Sequence, residues 1–433
     1  GCSGPELRAG PGRRGMRFFF PDSQDLVDPS FDFESETRAE FRVRQHDDVY
    51  AHEVFTQPPF DGLLISMGTV EGIGGASAGR YTMAQRHRLR RVGAREFFRL
   101  ESKSSLTSSL EMMGDCGAFS YVREVEPPFT TAEVVDFYLD CGFDYGISVD
   151  HVILGFKPDY DAGFQEVDLV PPEWRRRQEI TLERAREFLT LCAKRKVGFE
   201  PVGVAHGWSP TSYATAFSQL QMEGFHLIAL GGLVPLKTPE ILSILKAVSV
   251  VRRPETRIHL LGIGRVEHVA EFASFGVTSF DSTSPLRQAF KDERDNYYTL
   301  ERAYTAIRIP QIDANPQLAR RIRAGEVGQE EARRLERACL EGMAAFDEGT
   351  ATVDDVLAPL QAYEVLHDGA RTRVERYREV LEASPWRKCP CTICKHLRYH
   401  VILFRGAERN RRRGFHNVYV FHQRLLRARE GLG

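Results

Sequence analysis

Between residues 62 and 281, short apolar runs alternate with longer amphipathic stretches, and no other feature of the chain constrains its fold as strongly. The runs are LLISM (63–67), FFRL (97–100), LEMMGD (110–115), YGISVD (145–150), FEPVGVAH (199–206), FHLIALGG (225–232), RIHLLGIG (257–264) and VTSFD (277–281). Helical patterns separate most of them, among them AEVVDFYLDCG, TLERAREFLTLCAKRK, PTSYATAFSQLQMEG and TPEILSILKAVSVV. Pro210 suits the first turn of the third. Fully apolar strands joined through helices belong to parallel sheets, whose faces are both covered. About eight such strands predict an α/β fold, a closed (β/α)8 TIM-type barrel. No G-x-G-x-x-G follows the first run, which argues against an open dinucleotide-binding sheet.

The barrel is expected over residues 16–315. Residues 1–15 are rich in Gly, Pro and Arg, lack an apolar period, and read as a disordered leader before Met16. YTAIRIP (304–310) is one more strand candidate. Residues 316–385 read as a helical insertion with charged faces, and 386–433, with the clustered Cys389, Cys391 and Cys394, as a zinc-binding subdomain ending in a helix. At 42% hydrophobic and 27% charged residues the chain has an ordinary globular mix. It has no apolar run of ~18 residues and no secretory leader pattern, so the expectation is a cytoplasmic protein without membrane association.

In such a barrel, chemistry gathers at the C-terminal ends of the strands. The residues there are Asp115, Asp150, His206, Gly232–Leu233, Gly262 with Gly264, and Asp281. Each alone has a plain structural reading, as a helix cap, a satisfied histidine or a turn glycine. Three carboxylates and an imidazole on one rim are more than structure requires. Two carboxylates can cleave a glycosidic bond, one as nucleophile and one handling the proton, and a third can accept both N–H donors of a guanine-like edge.

Cys389-x-Cys391-x-x-Cys394 followed by His416 forms a Cys3His set, suited to tetrahedral Zn²⁺ in a structural role with no open position. His396, His400 and His422 are neighbouring alternatives to His416. The formal charge of −2 hides an asymmetry: residues 371–433 hold 16 Lys+Arg against 5 Glu and no Asp. Arg86–Arg91, Arg175–Arg177 and Arg411–Arg413, near Phe97, Phe98, Trp174 and Phe415, could hold phosphates and stack bases, or serve only as solvated helix faces.

Taken together, the rim and the cysteine motif resemble the tRNA-guanine transglycosylase superfamily over nearly all of residues 16–430. The opening FFFPDSQDLVDPSFDF and RQHDDVYAHEVF look like its DpdA branch, which inserts 7-deazaguanine bases into DNA. The resemblance implies Asp281 as nucleophile and Asp115 as acid/base. It implies Phe119 stacking on the base, Asp150 reading its edge, Gly232 and Leu233 contacting it by backbone, and Leu261 closing its other face. Cys389, Cys391, Cys394 and His416 match the family's zinc ligands. Where the tRNA enzymes carry Gln, this chain has His206, and only Arg287 stands near their tRNA-holding arginine pair, which favours DNA. The resemblance further implies preQ0 as incoming base, an ATPase-like partner protein and a homodimer. The alternatives are the same chemistry on tRNA, and a non-catalytic nucleic-acid-binding protein on this fold.

Overall fold

The structure, a computed structural model, describes residues 15–75, 78–100, 107–161, 170–291, 294–368 and 373–431. All but the last residue of the expected leader lies outside these. Eight parallel strands close into a barrel. They are β1 (Arg17–Pro21), β2 (Gly62–Ser66), β3 (Glu111–Asp115), β4 (Tyr145–Ile147), β5 (Glu200–Ala205), β6 (Leu227–Leu230), β7 (Arg257–Leu260) and β8 (Val277–Asp281). β1 seals the sheet, pairing with β2 on one side and with β8 on the other, where Phe19 meets Asp281.

Two expectations about strands need correction. FFRL is not a strand: Phe97 ends a short helix, Ala94–Phe97, and Phe97, Phe98 and Leu100 are buried. A short apolar run looks alike in a buried strand and a buried helix turn. The missing barrel strand is instead β1, supplied by RFFFP. YTAIRIP supplies only two-residue strands outside the barrel, Ala303–Tyr304 and Ile307–Arg308.

Helices between the strands begin where local chemistry places them. Thr130 caps Thr131–Cys141 in a capping box with Glu133. Ser209 caps Pro210–Glu223, with the proline at its start. Phe19, Leu64, Met113, Tyr145, Ile147, Val202, Val204, Leu227 and Ala229 fill the barrel interior. This packed layer supports the rim above it from below.

The chain forms two compact units. One comprises residues up to Gln24, Phe60–Ser282 and Leu425 onward, and so contains the barrel; the other comprises Asp25–Pro59 and Thr283–Arg424. The second unit contains helices Pro316–Arg323, Gln329–Glu348, Val353–Asp368 and Val374–Ala383. Among the described residues, no helix is long and apolar enough to cross a membrane.

Candidate active site and metal centre

β2 ends at Ser66 and β3 at Asp115, and the two residues are partners in register. Beyond Asp115 the chain turns through Gly117 at φ +85°, where a Cβ would lie 2.4 Å from Ser66 Oγ. Only glycine tolerates both the angle and the approach. The turn sends the Gly117 N–H back to the Asp115 carboxyl, which also bonds the Ser66 side chain. Burial, then the negative charges of Asp150 and Asp281, nevertheless push the Asp115 pKa up to about 8, against the lowering effect of those bonds. Asp115 therefore holds its proton at neutral pH.

Asp150, just past β4, is buried. Its Oδ2 lies 2.7 Å from His206 Nε2, and its Oδ1 accepts the Cys116 thiol at 2.9 Å. Burial and the charges of Asp150 and Asp115 hold that thiol's pKa far above its usual range, so Cys116 is a donor here. The Tyr121 hydroxyl lies 3.0 Å from both Cys116 Sγ and the Asp150 carbonyl oxygen. Among the described residues, no hydrogen-bond partner reaches the buried His206 Nδ1. After β6 the backbone runs tight against this imidazole: a Cβ on Gly231 would come within 2.3 Å of the ring. Gly232 has φ +75°, and a Cβ there would lie 2.4 Å from the Ile153 carbonyl oxygen.

At the end of β8, Asp281 Oδ1 accepts the Gly262 N–H at 3.0 Å and lies 3.2 Å from His259 Nε2. His259 Nδ1 lies 2.8 Å from Ser279 Oγ. Oδ2 accepts no hydrogen bond among the described residues. The rim thus carries a proton-bearing carboxyl and, electrostatically coupled to it, a second carboxyl with one oxygen held and one open.

Phe119 sits on the 3-10 turn Ala118–Tyr121 and is 50% exposed. The Leu233 side chain is fully buried, and Leu261 is partly buried against the barrel interior. Asp115, Asp150, His206, Gly232 and Asp281 are linked by contact or charge, while Phe119 lies on the turn after β3 and Leu261 directly after β7. Sequence reasoning did not single out His259, Ser279, Ser66, Tyr121 or Cys116. Part of the signal was present. Residues two apart on a strand share a face, so His259 accompanies Leu261 and Ser279 accompanies Asp281.

In the second unit, Cys389, Cys391 and Cys394 place their sulfurs 3.6, 3.4 and 3.3 Å from His416 Nδ1, and the four atoms lie within 4.8 Å of one another. A tetrahedral ion at ~2.3 Å from sulfur and ~2.0 Å from nitrogen separates the two by about 3.5 Å, so the set fits a metal. His416 Nε2 lies 2.8 Å from the Tyr298 carbonyl oxygen, which can only accept. That contact puts the ring hydrogen on Nε2 and aims the Nδ1 lone pair at the sulfurs. Of the alternatives, His396 is exposed and His400 meets Glu34 at 2.9 Å.

Arg177 and Arg411–Arg413 are engaged inside the fold, which takes them away from a phosphate-holding role, whereas Arg88 and Arg91 of the first run are exposed. Arg413 is fully buried and donates to the Leu403 and Ala289 carbonyls at 2.8 and 2.6 Å. Arg412 is buried on Glu408, and Arg411 donates to the Leu26 carbonyl at 2.9 Å. Arg177 donates to the Val152 and Val122 carbonyls, both at 2.8 Å. A guanidinium removed from water must find acceptors for its donors, and backbone carbonyls supply them. The charge excess near the C-terminus is therefore in part an internal brace.

No family model matches the chain. A DNA-guanine transglycosylase from Salmonella montevideo is 47% identical over 414 residues, spanning 95% of this chain and 96% of that protein. Two tRNA-guanine(15) transglycosylases, from Thermococcus kodakarensis and Pyrococcus furiosus, are 28% and 27% identical over 184 residues, which is 42% of this chain and 29% and 28% of theirs. Near-complete coverage at that identity, on a closed barrel with the Cys3His cluster, decides the family: the chain belongs to the DNA-guanine transglycosylases, the DpdA branch of the tRNA-guanine transglycosylase superfamily.

Proposed function

We propose that this protein exchanges guanine in DNA for a 7-deazaguanine base, preQ0, through a covalent bond between Asp281 and the sugar. The observation that carries the reading is the unlike pair on the rim: Asp115 retains its proton at neutral pH, and Asp281 offers one unengaged carboxylate oxygen.

The target nucleotide leaves the duplex stack to reach the rim. Asp281 Oδ2 attacks C1′ from the face opposite the base. The C1′–N9 bond breaks, its electron pair passes to guanine, and the Asp115 proton neutralises the departing base. The incoming deazaguanine then gives a proton to Asp115, and its N9 displaces Asp281 from C1′. Two inversions give retention, and proton and charge balance without an oxidant or a nucleotide. Phe119 and Leu261 cover the faces of the base. Asp150, oriented by His206, accepts from its N1–H and N2–H edge beside Gly232 and Leu233.

Zn²⁺ is the ion we assign to Cys389, Cys391, Cys394 and His416. Four protein ligands leave no open position, so its role is structural and no step of the exchange passes through it.

The test incubates the purified protein with labelled preQ0 and either plasmid DNA or tRNA, then digests to nucleosides for mass spectrometry. Label in DNA that is lost in Asp281→Ala is expected. Label in tRNA alone moves the activity to RNA. An Asp281→Asn protein that exchanges bases as the parent does removes Asp281 as nucleophile, whereas no exchange by the parent, with DNA bound equally by parent and Asp281→Asn, favours a binding role.

A further inference from the structure

We infer that His259 is a positioning residue that sets the balance between the two halves of the exchange by holding Asp281 Oδ1. The inference rests on the reading of Asp281 as nucleophile. His259 and Ser279 are register partners on β7 and β8, and both are fully buried. A carboxylate can only accept, so the nitrogen facing it, Nε2, bears the hydrogen. In the neutral ring Nδ1 is then the acceptor, and the Ser279 hydroxyl donates to it at 2.8 Å. The chain Ser279, His259, Asp281 thus runs in one direction, every donor pointing toward the carboxylate. Phe19, fully buried, meets the imidazole edge to face at 6.0 Å and limits its rotation. The Gly262 N–H reaches the same oxygen.

Two donors on Oδ1 assign the two oxygens different work. Oδ2 forms the bond to C1′, and Oδ1 becomes the carbonyl oxygen of the ester. Hydrogen bonds stabilise an anionic carboxylate more than a neutral ester carbonyl. They therefore favour the step in which the ester breaks and charge returns to Asp281, and give no comparable help to the step that forms it. Loss of the His259 donor should leave the covalent species formed but slow to resolve. A hydrogen bond to a charged group contributes enough for a ~10- to 100-fold effect on that step.

The experiment traps the adduct with a guanine-containing DNA duplex on a denaturing gel, then chases it with unlabelled guanine. Parent, His259→Phe, His259→Gln, Ser279→Ala and Asp281→Asn are compared. Slower chase by ~10- to 100-fold in His259→Phe, with a larger trapped fraction, is expected. His259→Gln, whose amide N–H can occupy the place of Nε2–H, should recover to within ~3-fold, and Ser279→Ala should slow the chase by a few-fold. A purely structural role would lower adduct and turnover together. A chase in His259→Phe equal to that of the parent overturns the inference and leaves Asp281 as nucleophile intact. No adduct in the parent overturns the nucleophile reading and this inference with it. If His259→Phe does not fold, Ser279→Ala decides, and an unchanged chase there counts against the inference.

Discussion

Replacing Asp115 by Asn tests the acid/base reading through stability as well as through activity. The carboxyl has an ordinary value of 3.8 and a value of about 8 in the fold, raised by burial and then by Asp150 and Asp281. The folded protein thus binds this proton more tightly than the unfolded chain. Stability is lost as pH rises from about 4, and the loss is complete above about 8. At ~1.4 kcal/mol per tenfold difference in proton affinity, the whole displacement is on the order of 5 kcal/mol. Asp115 is only partly shielded from water. Solvent and the readjustment of its neighbours reduce the expected figure to about 2 kcal/mol. Asn keeps the shape, donates a hydrogen bond and cannot titrate. Urea unfolding of both proteins at pH 5 and pH 9 is the assay. The parent should lose about 2 kcal/mol more than Asp115→Asn between those values, so that the variant is the more stable protein at pH 9. Equal losses in the two proteins would refute a proton held by Asp115 at neutral pH, and the acid role would fall with it.

Further outcomes follow from other parts of the molecule. Burial would raise the pKa of Glu36, but hydrogen bonds from Arg405 and Gln311 and the charges of Arg405 and Arg409 bring it down to about 2. Its contribution is therefore present above about 4.5 and lost as pH falls toward 2. Glu36→Gln should cost about 1–2 kcal/mol at pH 7 and little at pH 2, read by denaturant unfolding at both values. Cys391→Ser should lower bound zinc below one per chain by elemental analysis and bring forward the proteolysis of the second unit; full zinc occupancy in the variant would argue against the ligand set. Gly232→Ala meets both a positive φ and a contact with the Ile153 carbonyl. It should lose base exchange and about 1–3 kcal/mol of stability by thermal unfolding, whereas a neutral result would show that the loop shifts freely.

The barrel was legible because its cause is periodic: apolar strands and amphipathic helices alternate along the chain, and burial acts on every repeat. The Cys-x-Cys-x-x-Cys motif was legible because metal geometry demands ligands at short spacing. The rim carboxylates could be named because parallel strands deliver their C-terminal residues to one face, so a residue at a strand end has its place before any contact is known. Tertiary structure decided the rest. Which apolar run closes the barrel was not readable, since RFFFP and FFRL are both short Phe-rich runs with one Arg, and only pairing with β8 separates them. The basic runs carry charge in sequence, yet carbonyls from distant segments receive the guanidinium groups of Arg177 and Arg413. The proton on Asp115 and the donors on Asp281 likewise arise from groups far apart along the chain. A pKa depends on distance and burial, and the sequence order of Asp115, Asp150, His259 and Asp281 contains neither.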